Sequence, residues 1–280
     1  LPTLAAIDIL REAPMPLWLY HLPVWQFGSL LLAGWIIPAL ASFELVHRLW
    51  KPRFDDTDKG LALTLLALVA TLNSLLLAFC AVSVWESFRS ADSAVSNEAV
   101  TLSALSRDLA VMGTPPALEA RERVRAYTRS ILDEEWQDMQ GTPGGTGTAG
   151  GGLHVNRIFR AVQRIEPGSA AQQALLHEIW ARTNDMLKFR RERVSASEST
   201  VPASLWFVVI AGGVMSLIPL LVLPATAFNR AAVIFLSFST GLVFFFIAQM
   251  DRPFVGDLSI SPRPYERTLS GMESWDQGPR

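Results

Sequence analysis

The run from Gly60 to Trp85, GLALTLLALVATLNSLLLAFCAVSVW, carries no charged residue and continues directly into ESFRSADSAVSNEAVTLSALSRDLAVM. An uncharged stretch longer than the ~20 residues needed to cross a bilayer predicts a membrane-spanning helix. No Pro or Gly falls between Gly60 and Gly113, so one helix is expected to leave the membrane and keep going. At ~1.5 Å per residue it would be roughly 80 Å long, against a ~30 Å hydrocarbon core. Beyond Trp85, Phe88, Val95, Leu102 and Leu109 are seven apart, and Ala91, Leu105 and Met112 lie on the same stripe. Such heptads predict packing against partner helices outside the membrane.

One position breaks the stripe. Glu98 falls between Ala91 and Leu105, where an apolar residue is called for, and a carboxylate on a packing seam needs a cationic partner or a proton. It lies thirteen residues beyond Trp85, and Arg190 and Arg191 lie fourteen and thirteen before Ser204. Arg190 also falls between Leu187 and Val194 on its own apolar face. A Glu98 to Arg190 ion pair is therefore expected, with Arg191 or Arg193 as the fallback partners.

Half of the 280 residues are hydrophobic and 18% are charged, more apolar than an ordinary soluble domain. With 24 basic and 26 acidic residues there is no large basic surface, which argues against a nucleic-acid partner. Cys80, the only cysteine, lies inside the span, so it forms no internal disulfide and no thiolate metal cluster. The amino end lacks a basic start before an apolar core and is not expected to be a signal peptide. Leu1 is not an initiator, which suggests that residues precede it.

Read in order, 1–21 is an amino-terminal segment, and Leu22 to Phe43 is a first span, bent near Pro38. Glu44 to Lys59 is expected to be a polar loop whose Asp55, Asp56 and Asp58 cap the second span. Residues 22–85 thus hold two spans. Residues 86–200 form a cytoplasmic helical region. Thr114-Pro115-Pro116 starts an amphipathic helix with Val124, Tyr127 and Ile131 on one face, and Glu134, Glu135 and Asp138 read as a solvated acidic face. Gly141 to Gly152, GTPGGTGTAGGG, reads as a flexible loop. A phosphate-cradling loop is disfavoured there, because no GKS or GKT ending follows and no strand precedes. Leu153 to Ile165 and Ser169 to Ser199 are helices, the second with Leu176, Trp180, Leu187, Val194 and Val201 on one face.

Residues 201–250 hold two more spans, Ser204 to Leu223 and Ala231 to Met250, with Pro224 and Asn229-Arg230 at the turn. The tail, 251–280, reads as irregular. Four spans put both ends and the central region on one side, and an excess of Lys and Arg there makes that side cytoplasmic.

The second span with its exit, LLLAFCAVSVWESFRSA, resembles the bestrophin pattern, in which an apolar helix ends in a Phe-Arg pair and enters an aromatic-acidic segment. The run Asp251-Arg252-Pro253-Phe254-Val255-Gly256 is similar to the Pro-Phe-Gly motif that follows the fourth span in that family. The bacterial bestrophin-like membrane family of unknown function also shares the Glu-Glu-Trp at Glu134 to Trp136. The likeness covers roughly residues 60–265. It implies an all-α, four-span membrane protein whose long helices extend into a cytoplasmic helical bundle. It further implies a bacterial inner-membrane pentamer in which the second span lines an anion pore constricted at Thr71, Leu75 and Phe79. Cys80 stands where that family has an Arg after the constricting Phe, and the acidic calcium-binding run after Pro-Phe-Gly is absent, so no calcium site is carried over.

No constellation looks catalytic: His21, His47, His154 and His177 are scattered, and no enzyme, cofactor or metal is expected. Two function classes remain. One is a homo-oligomeric channel, anion-selective if it conducts, with dewetting constrictions. The other is a non-conducting membrane scaffold or sensor whose cytoplasmic helices bind a partner. Within one chain, Phe79 and Leu75 read equally as plain helix packing.

Overall fold

A computed structural model describes residues 16–49, 55–141 and 148–276. Among these the regular elements are all helical. They are α1 (Val24–Leu49), α2 (Asp56–Met112), α3 (Pro115–Ser130), a π turn (Ile131–Glu135), α4 (Trp136–Gly141), α5 (Thr148–Val162), α6 (Ala170–Glu198), α7 (Ala203–Leu217), a 3-10 turn (Ile218–Val222), α8 (Ala227–Met250) and α9 (Arg263–Asp276). Four segments are long and apolar enough to cross a bilayer: α1, α2, α7 with its 3-10 turn, and α8. The chain divides into two compact units. One comprises Leu1–Glu86, Thr200–Arg252 and Gly256–Leu258; the other comprises Ser87–Ser199, Pro253–Val255 and Ser259–Arg280.

In the first unit α1 packs along α8. Small residues allow the approach: Gly28 faces the Phe245 ring, Gly241 faces Leu32 and Trp35, and a Cβ on Gly213 would strike the Trp35 indole. Close backbone contact of this kind replaces the hydrophobic drive that lipid removes. Phe27, Leu77, Cys80, Val84, Trp206 and Phe244 form the main core. The first span runs six residues beyond its expected end at Phe43, because Glu44 pairs with Arg230 of α8 at 2.5 Å and His47 bridges the Phe43 and Leu223 carbonyls. The expected loop Glu44 to Lys59 shrinks accordingly, and its residues 50–54 lie outside the described ones. Asp55 and Asp58 both serve the start of α2: the Asp55 carboxylate accepts from the Asp56 N–H and the Asp58 carboxylate from the Asp55 N–H. The fourth span starts four residues early. Thr226 caps it by accepting from the Asn229 N–H, so Asn229 and Arg230 are helical and not in the turn.

The second unit contains the remainder of α2, which continues unbroken to Met112 and stops at Gly113, whose φ of +66° suits glycine. Ala91, Val95, Leu102, Leu105, Leu109 and Met112 are all buried in its core. Val124, Tyr127 and Ile131 of α3 and the start of the π turn are fully buried too. The π turn then inserts an extra residue and rotates the following chain, so that Glu135 and Trp136 both face inward while Asp138 stays exposed. Two expectations need correction here. The glycine-rich run, where described, is helical from Thr148, and residues 142–147 of the expected loop lie outside the described residues. The tail is not irregular: α9 buries Tyr265, Thr268 and Met272, spaced three and four apart, against the same core.

Candidate functional site

On α2 within the first unit, Thr71, Leu75 and Phe79 lie one turn apart on an exposed face, Leu75 at 54% and Phe79 at 66% accessibility. Asn73, Leu77, Cys80 and Val84 point the other way, into the unit. Within one chain, Leu75 and Phe79 therefore do not belong to the core. The Thr71 and Ser74 hydroxyls donate to the Ala67 and Ala70 carbonyls, each at 2.7 Å, which leaves the exposed face apolar in character.

In the second unit, the Glu98 break in the heptad stripe becomes the centre of a buried cluster. Its Oε2 accepts from Arg193 Nε at 2.7 Å and from the Tyr265 hydroxyl at 2.7 Å; its Oε1 accepts from the Tyr127 hydroxyl at 2.5 Å. Arg193 Nη2 also donates to Glu135 Oε2 at 2.6 Å, and Arg190 Nη2 to Glu135 Oε1 at 3.1 Å. Two carboxylates and two guanidinium groups thus balance in an interior where an unpaired charge is strongly disfavoured. The expected Glu98 to Arg190 pair is not formed: Glu98 bonds Arg193, one of the fallback partners, and Arg190 bonds Glu135. Both arginines lie on the buried seam of α6, which runs through Ile179, Thr183, Met186, Arg190 and Arg193, and the buried Glu135 takes up Arg190. Leu176, Trp180, Leu187 and Val194 flank it, half-buried.

Burial, and then the Glu98 charge, hold the Tyr127 and Tyr265 hydroxyls protonated well above the ordinary tyrosine range, so both act as donors. Burial disfavours the Arg193 cation. The attraction of Glu98, of the two tyrosine oxygens and of Glu135 outweighs it and raises Arg193 well above its usual value.

The sequence reading missed Glu135, assigned to a solvated face, and the role of both tyrosines. It also misread Gly151, where a Cβ would overlap the Glu135 carboxylate. That glycine brings α5 against the cluster. A signal was available: Glu135 lies four residues after Ile131, on the face shared by Tyr127.

The segment after α8 is divided between the units. In the first, Asp251 Oδ1 accepts from the Val201 N–H at 2.6 Å, and the Arg252 guanidinium sits 5.4 Å from the centre of the Tyr20 ring. Burial raises the Asp251 carboxyl above the ordinary range against the pull of the Val201 N–H. Gly256 has φ +93°, and a Cβ there would lie 2.8 Å from the Tyr20 carbonyl oxygen. In the second unit, the Pro253 carbonyl accepts from the Ile260 N–H, and Phe254 stands edge-on to Trp136 with ring centres 5.5 Å apart. Glu-Glu-Trp and Pro-Phe thus meet in space. Among the described residues, no three Asp, Glu, His or Cys side chains gather as a metal site.

The fold and these two motifs define a multi-span, all-helical membrane protein. A family profile described as the Bestrophin-like domain matches residues 33–265, and the chain belongs to that family. Its fold is similar to that of a bacterial bestrophin homologue from Klebsiella pneumoniae seen in two single-mutant crystal structures. One has a TM-score of 0.66 at 11% identity, covering 89% of this chain and 97% of that one. The other has a TM-score of 0.64 at 11% identity, covering 90% and 98%. A further similar structure, described as a membrane protein, has a TM-score of 0.64 at 10% identity, covering 89% and 97%. No protein with curated annotation matches the sequence.

Proposed function

We propose that the protein is a homo-oligomeric, bestrophin-type ion channel, a pentamer selective for anions, with α2 lining the axis. The observation that carries this reading is the outward face of α2. An aromatic ring and a leucine one turn apart are left uncovered by their own chain, on the helix whose counterpart lines the pore in bestrophins. Brought together around an axis, rings of Phe79, Leu75 and Thr71 form a narrow, mostly apolar passage that water leaves readily, and such a passage gates by dewetting. The spans lie in a bacterial inner membrane, with the second unit in the cytoplasm as a helical bundle. On this reading the Glu98 cluster fixes the register of that bundle, its carboxylates and guanidinium groups being taken up by one another, and the protein acts as a channel and not as an enzyme.

The test has two stages. Mass measurement of the detergent-solubilised complex should give several copies of the chain. Planar-bilayer recording should then show anion currents that rise when Leu75 and Phe79 are both replaced by Ala. A lone monomer, or silence of both proteins under every ion gradient, would overturn the channel reading in favour of a scaffold.

A further inference from the structure

The exposed surface of the second unit holds a charge imbalance that the channel reading does not use. Arg157 and Arg160 of α5, with Arg164 just past its end, follow one another at spacings of three and four, so they share one helical face. Arg123 of α3 stands across from them, and together with Glu119 and Ala161 these residues line a cleft of about 180 Å³. Glu119 is the one acid in the lining. Its two oxygens are already engaged, Oε1 by Arg123 and Oε2 by Arg164, each at 3.4 Å. Among the described residues, no carboxylate pairs with Arg157 or Arg160. Four guanidinium groups around one carboxylate leave a local charge of three positive units, which repel one another unless an anion enters.

We propose that this cleft binds a phosphate-class oxyanion, of the size of one or two phosphoryl groups, on the extramembrane unit. Guanidinium groups bind phosphoryl oxygens bidentately, and a cluster of them is a recurrent solution for phosphate recognition. Size supports the same ligand. The cleft has room for about six waters at ~30 Å³ each, enough for the two phosphoryl groups of pyrophosphate. An acidic protein partner fits less well, because an interface needs a buried apolar or aromatic anchor, and the only apolar lining residue is Ala161. Glu119 acts as the internal stand-in: on binding, the oxyanion takes over the guanidinium groups that Glu119 holds at long distance.

The proposal is independent of conduction and is tested by binding. The full chain in uncharged detergent at low salt is titrated with sodium pyrophosphate by calorimetry, and in parallel with a short-chain phosphatidic acid. The two arms separate a free oxyanion from a lipid headgroup. Saturable binding of either is expected in the wild type, weakened at least tenfold by Arg157→Gln with Arg160→Gln. A charge-matched control, Arg129→Gln with Arg191→Gln, should stay within twofold. All four positions are exposed, and unchanged thermal unfolding of both variants confirms that they fold. Binding of pyrophosphate identifies a free oxyanion, and binding of the lipid alone identifies a headgroup. Equal loss in the cleft variant and the control, no loss in the cleft variant, or no binding of either probe would overturn the proposal.

Discussion

Glu98 shows how one carboxylate in a heptad stripe is held. It is fully buried, with bonds from one guanidinium and two phenols. Removing one side of such a pair strands the other, at a typical cost of about 3–5 kcal/mol. Glu98→Gln and Arg193→Met should each lower the unfolding free energy in detergent, and the double variant should lose less than the sum. Simple additivity would mean that the two groups are not coupled.

Tyr127→Phe should cost about 1.5–3 kcal/mol at neutral pH, the range for a hydrogen bond to a charged acceptor. It should also flatten the alkaline limb. Unfolded tyrosines ionise near the ordinary value of 10.0, while the folded hydroxyls hold their protons to higher pH. The stability they contribute is therefore complete below pH 10 and is lost as pH rises from there towards the folded values. Unfolding curves between pH 9 and 11 would read this, and an unchanged slope in the variant would contradict it.

Elements in this chain end or bend where a single residue decides the backbone. Gly113 closes α2 at φ +66° in a site where an added Cβ meets nothing nearer than 3.8 Å. Gly113→Ala should thus cost only the left-handed backbone term, about 1–2 kcal/mol. Gly256 combines φ +93° with a close neighbour, because a methyl group there would sit 2.8 Å from the Tyr20 carbonyl oxygen. Gly256→Ala should lower the unfolding temperature further than Gly113→Ala, and the reverse order would show that the close approach is relieved at little cost. The π turn works in the same way at the scale of a helix. By shifting the phase between Ile131 and Trp136, it lets Glu135 reach the arginines while Trp136 reaches Phe254 and Tyr265.

For the whole molecule, the proposed orientation, with both ends and the segment 141–152 in the cytoplasm, rests on the four candidate spans and the charge bias. Protease applied to the outside of intact cells should leave that segment whole and should cut it once the membrane is opened. Cleavage in intact cells would invert the orientation. Assembly has its own check at the apolar face of α2. A cysteine introduced by Phe79→Cys should be shielded from a membrane-impermeant thiol reagent while the passage is dry and closed. Full reaction of that thiol would mean that α2 faces open water.

The helical class, the four apolar segments, the unbroken course of α2 and the buried stripe on its second half were legible in the residues alone, because each depends on local features: hydrophobic length, the absence of Pro and Gly, and a period of seven. The boundary residues Asp55, Gly113 and Ser169, whose hydroxyl accepts from the Gln172 N–H at the start of α6, were readable for the same reason, since capping is settled within one turn. Which arginine meets Glu98 was settled by packing between elements far apart in the chain. Arg190 and Arg193 are both on the α6 seam, and their partners depend on how the π turn orients Glu135 and where Gly151 lets α5 approach. Polar residues on a seam carry no hydrophobic signal, so the seam through Thr183 and Arg193 was drawn one face away, and Glu135 was read as surface although its spacing from Tyr127 and Ile131 puts it on their face. The helical tail was missed because a short, polar helix such as α9 is held by the core it covers through Tyr265, Thr268 and Met272, and its own propensity carries little of that information.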